Sequence, residues 1–187
     1  DAKPTSFEVV DGRGIDFEVD ELSLPAPFDY ERQAALYLPT GLGDPREEGF
    51  HERACEQITE LVAITGGGAF VLCTSWRAMQ ELAERCRVSI PNRSLVQGEA
   101  SNAALLEGFR KDGDAVLFAT ASFWQGVDVP GSALRLVIID KLPFDVPADP
   151  LIKARCQSLK QRGIEPFMKY LVPSSALVLI QGFGRLI

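Results

Sequence analysis

Short apolar runs alternate along the chain with longer segments in which apolar residues recur at helical spacing. Buried strands are predicted at four apolar runs, residues 69–73, 94–96, 115–119 and 134–139. Helices are predicted between or after them, at residues 47–65, 76–87, 101–111, near 151–162 and from about 174 onward. Three glycines at residues 66–68 are expected to end the first of these helices, and Ser101 is the expected N-cap of the third. Because strands that alternate with helices form parallel sheets with both faces covered, we predict a three-layer α/β/α fold.

The first part of the chain does not share this alternation. Residues 1–30 are acidic and poorly periodic, and residues 33–38 form an apolar run that predicts one strand, closed by a turn-rich stretch. We therefore predict a leading segment at residues 1–45 and a folded lobe at residues 46–187. Asp1 stands where an initiator methionine is usual, which favours a fragment of a longer protein.

Composition indicates an ordinary globular protein, with 46% hydrophobic and 24% charged residues among 187. No apolar run has the length of a membrane span, and no signal peptide opens the chain. The four cysteines lack the spacing of metal ligands, so buried thiols in a reducing cytoplasm are expected. With His51 as the single histidine, neither a zinc site nor a Ser-His-Asp triad is predicted.

The net charge of −7 is unevenly distributed along the chain. Residues 1–60 hold 15 acidic and 5 basic side chains, a balance of −10. Residues 61–187 hold 11 acidic and 14 basic side chains, a balance of +3. The overall charge argues against nucleic-acid binding by the whole surface, but a locally basic face on the second part remains open.

Ligands of parallel sheets collect at the carboxyl ends of the strands, so the residues there are the candidates for function. Thr74, Ser75 and Trp76 follow the first strand and offer hydroxyls for phosphate and an indole for base stacking. Alternatively, Ser75 caps the next helix while Trp76 packs below it, and a cap and a phosphate contact can coexist. Gln97 and a glycine follow the second strand, where a turn is the simpler interpretation.

The third strand leads into the densest cluster of functional side-chain types, residues 120–131. Thr120 and Ser122 supply hydroxyls, Gly126 allows close approach, and Asp128 can accept from a ribose hydroxyl. The alternative is a long crossover, punctuated by glycine and proline, with its aromatic side chains in the core. After the fourth strand, Lys141 either reaches nucleic acid or belongs to a proline-rich structural corner.

The chain closes with a helix that carries Gln181 and Arg185 on one face, with Gly184 beside them. An arginine on such a face suits a phosphate, because its planar fork donates several hydrogen bonds and stays charged. The alternative is a solvated amphipathic helix. The sequence contains neither a phosphate loop of the G-x-x-x-x-G-K-[ST] type nor a strand that ends in paired acidic residues for Mg²⁺. We therefore expect no hydrolysis of nucleoside triphosphates by this chain alone.

These segments together resemble the C-terminal RecA-like lobe of superfamily-two DNA helicases of the DinG/XPD type, and in particular the bacterial DinG/YoaA branch. Residues 72–76 resemble motif IV, residues 95–98 the segment after it, and residues 122–131 motif V. Residues 141–144 resemble the block after motif V, and residues 181–187 motif VI. The family's motif VI continues with a second arginine, and this chain ends one residue short of it.

The resemblance implies ATP-driven 5′-to-3′ translocation on single-stranded DNA in repair or replication, with ATP bound between two RecA-like lobes. It implies catalytic roles for Arg185 and Gln181 and nucleotide contacts for Gly126, Asp128 and Gly184. It implies a DNA path along a set of polar residues that follow the strands, Thr74, Ser75, Gln97, Thr120 and Ser122.

The resemblance also implies the partners. ATP and Mg²⁺ would be held mainly by the N-terminal lobe of the same protein, which could also carry an iron–sulfur cluster, and no metal site is predicted in this chain. The fragment is expected to be cytoplasmic, monomeric and inactive by itself. The alternatives are a lobe of a DinG-type helicase–exonuclease fusion, a non-catalytic RecA-like binding module, and an unrelated doubly wound enzyme for a small nucleotide.

Overall fold

The computed structural model describes residues 29–120, 123, 129, 131–146 and 148–184. The chain divides into two units, Asp1–Tyr37 and Leu38–Ile187. In the first unit the described residues form one short helix, α1 (Tyr30–Gln33), and the residues after it have no regular structure. The strand predicted at residues 33–38 is therefore wrong. Leu36 and Tyr37 are 70% and 55% exposed, and a strand forms only where a neighbouring strand accepts its backbone hydrogen bonds.

A four-stranded parallel sheet forms the centre of the second unit. Its strands are β1 (Ala69–Cys73), β2 (Ser94–Val96), β3 (Val116–Thr120) and β4 (Leu136–Ile139). They lie in the order β2-β3-β1-β4, with Ala69 of β1 opposite Val116 of β3 and Leu136 of β4. The predicted strands are confirmed, and because all of them are parallel, their carboxyl ends lie at one edge.

Helices cover both faces of this sheet. On one face lie α2 (Phe50–Thr65) and α3 (Trp76–Ser89), whose buried side chains pack with Val71, Val116 and Phe118. On the other face lies α4 (Asn102–Asp112), whose Leu105 and Phe109 pack with the alternate residues of the same strands. The predicted three-layer α/β/α fold is confirmed. A strand that is covered on both faces is apolar at nearly every position, which is why the strand at residues 69–73 could be predicted from sequence.

Local signals for helix ends are also confirmed. Gly66 ends α2 in the left-handed conformation, with φ of 66°, and its N–H donates to carbonyl oxygens of the last helical turn. Ser101 is the N-cap of α4, and its Oγ accepts from the Ala104 N–H at 3.3 Å. These features depend only on neighbouring residues, so their prediction did not require the tertiary fold.

At the opposite edge of the sheet, where the strands begin, one arginine binds several backbone carbonyl groups. The guanidinium of Arg135, the residue before β4, donates to the carbonyl oxygens of Thr65, Gly66, Gly113 and Ser132 at 2.8–3.0 Å. Three of these carbonyls belong to the C-terminal ends of α2 and α4, which lie on opposite faces of the sheet. Arg135 therefore connects the two helical layers and places positive charge where helix carbonyls accumulate negative charge.

The last part of the described chain, which we call the C-terminal arm (residues 148–184), is much more exposed. It comprises α5 (Pro150–Gln161), a π-helical turn (Phe167–Leu171) and α6 (Val172–Phe183). No residue of α5 is buried, whereas Val178 of α6 packs against the sheet face that α4 covers. The last helix begins slightly before the predicted position near residue 174.

The four cysteines are free thiols, and Cys55, Cys73 and Cys86 are buried. Cys86 of α3 donates a thiol hydrogen bond to Cys55 of α2, with 2.9 Å between the sulfurs. Burial raises the pKa of the Cys73 and Cys86 thiols far above the ordinary value, so both stay protonated at neutral pH. In the described ranges no helix is long and apolar enough to cross a membrane.

Candidate nucleic-acid interface

The carboxyl edge of the sheet brings together four of the five residues predicted to lie along the DNA path. Thr74 and Ser75 follow β1, Gln97 follows β2, and Thr120 ends β3. They converge because the strands are parallel and neighbouring. The fifth, Ser122, lies outside the described residues.

Thr74 is held by a carboxylate from the adjacent strand. Its N–H donates to Asp140 Oδ1 at 2.8 Å, and its hydroxyl donates to Oδ2 at 3.4 Å. Burial raises the pKa of the Asp140 carboxyl, although the bonds from Thr74 and the charge of Lys141 act in the opposite direction. Asp140 thus fixes the loop that follows β1 while the Thr74 side chain stays exposed.

Ser75 caps α3, as one of its two predicted roles required. Its Oγ accepts from the Ala78 N–H at 3.2 Å, and its backbone has the extended conformation usual for an N-cap. The cap directs the first turn of α3 toward the carboxyl edge of the sheet. Ser75 is exposed, so the cap and a phosphate contact remain compatible.

Gln97 and Thr120 form a second connection between neighbouring strands. Gln97 Oε1 accepts from the Thr120 N–H at 2.7 Å and from the Thr120 hydroxyl at 3.0 Å. The two predicted residues therefore contact each other directly. Asp140 joins the ends of β4 and β1, and Gln97 joins the ends of β2 and β3, so the polar edge is ordered before any ligand arrives.

A groove of about 520 Å³ lies beside this edge, lined by Ser75 together with charged side chains of both signs. Its basic side chains are Arg46, Arg77 and Lys141. Glu81 Oε2 lies 2.6 Å from His51 Nδ1, and its Oε1 accepts from Arg77 Nε at 2.9 Å. The bond from Arg77, and secondarily the charge of His51, lowers the pKa of Glu81 against the opposing effect of burial. The groove is therefore a mixed-charge surface rather than a uniformly basic one.

The residues predicted for the nucleotide side are only partly described. Gly126, Asp128 and Arg185 lie outside the described residues. Gln181 is exposed near the end of α6, and Gly184 follows that helix, its N–H donating to the Ile180 carbonyl at 2.9 Å. Of the residues predicted for the nucleotide side, the described part of the chain therefore contains one exposed amide and one glycine. Within the described ranges, no three His, Cys, Asp or Glu side chains come together as metal ligands.

Sequence reasoning missed Asp140 and the importance of Gly98. Asp140 is a carboxylate directly after a strand, which is a usable signal, but only its neighbour Lys141 was predicted to have a role. Its partner Thr74 lies 66 residues earlier, so the contact could be recognised only once β4 was known to lie beside β1. Gly98 lies directly beside the indole of Trp76. This contact joins two loops that follow different strands, so it too could be recognised only from the strand order.

Comparison with known proteins is consistent with this architecture. The helicase C-terminal domain family matches residues 58–187. The ATP-dependent DNA helicase YoaA of Escherichia coli (strain K12) is 44% identical over 170 residues, which cover 91% of this chain and 27% of the relative. The ATP-dependent helicase DinG of Mycobacterium tuberculosis is 39% identical over 169 residues, which cover 89% of this chain and 25% of the relative.

Among solved structures, an XPD helicase aligns with a TM-score of 0.61 and 15% sequence identity. The alignment covers 77% of this chain and 26% of that one. At this level of identity the likeness concerns the fold. The chain spans about a quarter of the length of the curated relatives it matches.

Proposed function

Because the chain belongs to the helicase C-terminal domain family, we propose that it is the second RecA-like lobe of an ATP-dependent DNA helicase that moves 5′ to 3′ on single-stranded DNA. The relatives named above are ATP-dependent helicases and are about four times as long as the matched segment. In this proposal a partner lobe of the same protein supplies the phosphate loop and the acidic Mg²⁺ ligands that this sequence lacks.

The observation that carries the proposal is the convergence of polar side chains on the carboxyl edge of the sheet. Thr74, Ser75, Gln97 and Thr120 come from three strand ends, and two interstrand hydrogen-bond pairs hold them in position. Hydroxyls, amides and backbone N–H groups are the donors that proteins use against sugar-phosphate backbones. An edge of this kind can follow a strand of nucleic acid without reading its sequence, as a translocating enzyme requires.

The end of the chain supports the nucleotide-side assignment. Gln181 and Gly184 at the end of α6, with Arg185 next in sequence, match the order of the family's last motif. Arg185 would stabilise charge that develops on the transferring phosphoryl group, while Gly126 and Asp128 would contact ATP from the crossover after β3. ATP, when bound, supplies the phosphoanhydride whose cleavage drives movement.

The test is Arg185→Ala in the full-length protein. We expect DNA-stimulated ATP hydrolysis to fall by about a hundredfold or more, since arginines in this role contribute on the order of a thousandfold or more elsewhere. Thermal stability should be unchanged. The matched control is Arg162→Ala, which removes an exposed arginine at the end of α5 and should leave hydrolysis as it was.

Unchanged turnover in Arg185→Ala would contradict the proposed role. Two further measurements separate the remaining alternatives. Single-stranded DNA binding without ATP-dependent strand separation would favour a non-catalytic binding module. Nuclease activity of the same polypeptide would favour a helicase–exonuclease fusion.

A further inference from the structure

Trp76 is a large aromatic side chain left partly open at the polar edge. It is the first residue of α3, directly after Thr74 and Ser75, and it is 46% exposed. Tryptophan side chains are highly buried on average, and the nearby residues Ala78 and Met79 of α3 are buried. The indole is therefore neither a core residue nor a side chain far from the candidate site.

The indole of Trp76 packs against Gly98, at a position where only glycine leaves enough room for the ring. A Cβ at residue 98 would lie 2.8 Å from Trp76 Cη2 and 3.0 Å from Cζ2, too close for any real side chain. Gly98 also has φ of +99°, a conformation that other residues rarely adopt. The six-membered ring of Trp76 therefore rests directly against the backbone of Gly98.

This contact crosses the sheet edge. Trp76 follows β1 and Gly98 follows β2, and β3 lies between those two strands. The contact thus joins the loops that follow the two strands on either side of β3, the strand whose last residue is Thr120. Its position places an aromatic surface among the polar side chains assigned to the sugar-phosphate backbone.

An ion pair connects α3 with the loop that carries Gly98. Glu99, the residue after Gly98, binds Arg87 of α3, with both carboxylate oxygens 2.5–2.6 Å from Arg87 Nη2. The same helix therefore carries the indole at its start and anchors the opposing loop near its end. A ring that is already immobilised loses little conformational freedom when a ligand stacks on it.

We propose that Trp76 is a base-stacking platform for single-stranded DNA, seated on Gly98. The proposal deepens the proposed function and rests on it. Every nucleobase has a flat π face, so one fixed indole can stack with any base and remain tolerant of sequence. The surrounding polar groups would hold the backbone while the indole receives the base.

The experiment is an abasic scan with the full-length protein. Affinities for an oligothymidylate are measured by fluorescence anisotropy, with one abasic site moved along the strand. For the wild-type protein, we expect one position at which the abasic site raises Kd about tenfold, the size of one stacking contact. Trp76→Ala should raise Kd for the intact strand by a similar factor, and the abasic site at that position should then have no further effect.

Two other variants guard against a simple folding defect. Trp76→Phe keeps a stacking ring and should recover most of the affinity. Gly98→Ala keeps the indole but displaces it, and should weaken binding with loss of the same abasic effect. The matched control is Val88→Ala, which trims a 90% exposed side chain at the far end of α3 and should bind as the wild type does.

The outcomes distinguish this inference from the function on which it rests. If the wild-type protein binds DNA and hydrolyses ATP with it, but Trp76→Ala binds equally well or retains the full abasic effect, the stacking role alone is wrong. The stacking role is also wrong if Trp76→Phe binds no better than Trp76→Ala. If the wild-type protein shows no DNA binding, both the proposed function and the stacking role fail.

Discussion

The sheet and the C-terminal arm are both rich in apolar residues, but the central strands β1 and β3 bury theirs whereas the arm leaves most of its large apolar side chains exposed. Every residue of β1 is at most 2% exposed, and helices from both faces cover it. In the arm, Leu177 and Ile180 are 64% and 65% exposed, and α5 contributes no buried residue. Apolar periodicity therefore predicted the secondary structure of both regions, while it did not predict which of them forms the core.

This difference has an energetic consequence. Burial of apolar surface is the main favourable contribution to folding, so the stability of this chain should come mostly from the sheet and its three flanking helices. The same kind of substitution, from a large apolar residue to alanine, should lower the free energy of unfolding strongly in the sheet and only slightly in the arm. The polar residues at the carboxyl edge are a separate case. They are candidates for function rather than for stability, but they depend on the sheet for their positions.

The most direct test of this comparison removes one large side chain from each region. Phe118 in β3 is fully buried, so Phe118→Ala should lower the free energy of unfolding by about 3–5 kcal/mol through lost burial and a residual cavity. Leu177→Ala in α6 should change it by less than about 0.5 kcal/mol, because the side chain is already exposed. Urea denaturation monitored by circular dichroism measures both, and comparable losses would show that the arm is part of the core.

The second test concerns the connection between the helical layers. Arg135→Ala removes four hydrogen bonds to backbone carbonyls and should lower the free energy of unfolding by about 1–2 kcal/mol. Arg135→Lys should recover only part of this, since one ammonium group cannot reach carbonyls on both sides of the sheet. Arg85→Ala, at an exposed position of α3, is the control. An effect no larger than the control would mean that the layers are held by apolar packing alone.

Features that depend on neighbouring residues were predictable from sequence. The bounds of β1 and β2 match the predicted runs, and the caps at Ser75 and Ser101 lie where they were expected. Each of these signals is contained within about five residues. The predicted strand at residues 33–38 failed for the complementary reason, because a strand requires a partner that its own sequence cannot supply.

Features that depend on the order of the strands were not predictable from sequence. Thr74 and Thr120 were recognised as candidates, but their partners Asp140 and Gln97 could be assigned only from the sheet. The same is true of the contact between Trp76 and Gly98, which joins the ends of two strands that are not adjacent. Sequence therefore identified which side chains could carry function, and the fold determined how they are held.

The smallest expected effects are pH dependences, and they should have opposite signs in the two regions. Burial raises the pKa of Asp140 in the folded chain, so its ionisation lowers the free energy of unfolding as pH rises through that folded pKa. Asp140→Asn keeps an oxygen that accepts from the Thr74 N–H. The variant should therefore be at least as stable as the wild type at neutral pH, with an advantage that fades toward acid pH.

Glu165 in the arm is the matched carboxylate. The N–H groups of Met168 and Phe167 donate to it and lower its pKa, so its stabilising effect is present above the ordinary pKa and is lost as pH falls through the folded value. Glu165→Gln should therefore be slightly less stable than the wild type at neutral pH and equal to it in acid. Urea midpoints of the three proteins between pH 3 and pH 7 measure both differences. If Asp140→Asn instead became less stable than the wild type as pH rose, the stabilising effect of the Thr74 hydrogen bonds on the Asp140 carboxylate would outweigh the cost of burying it.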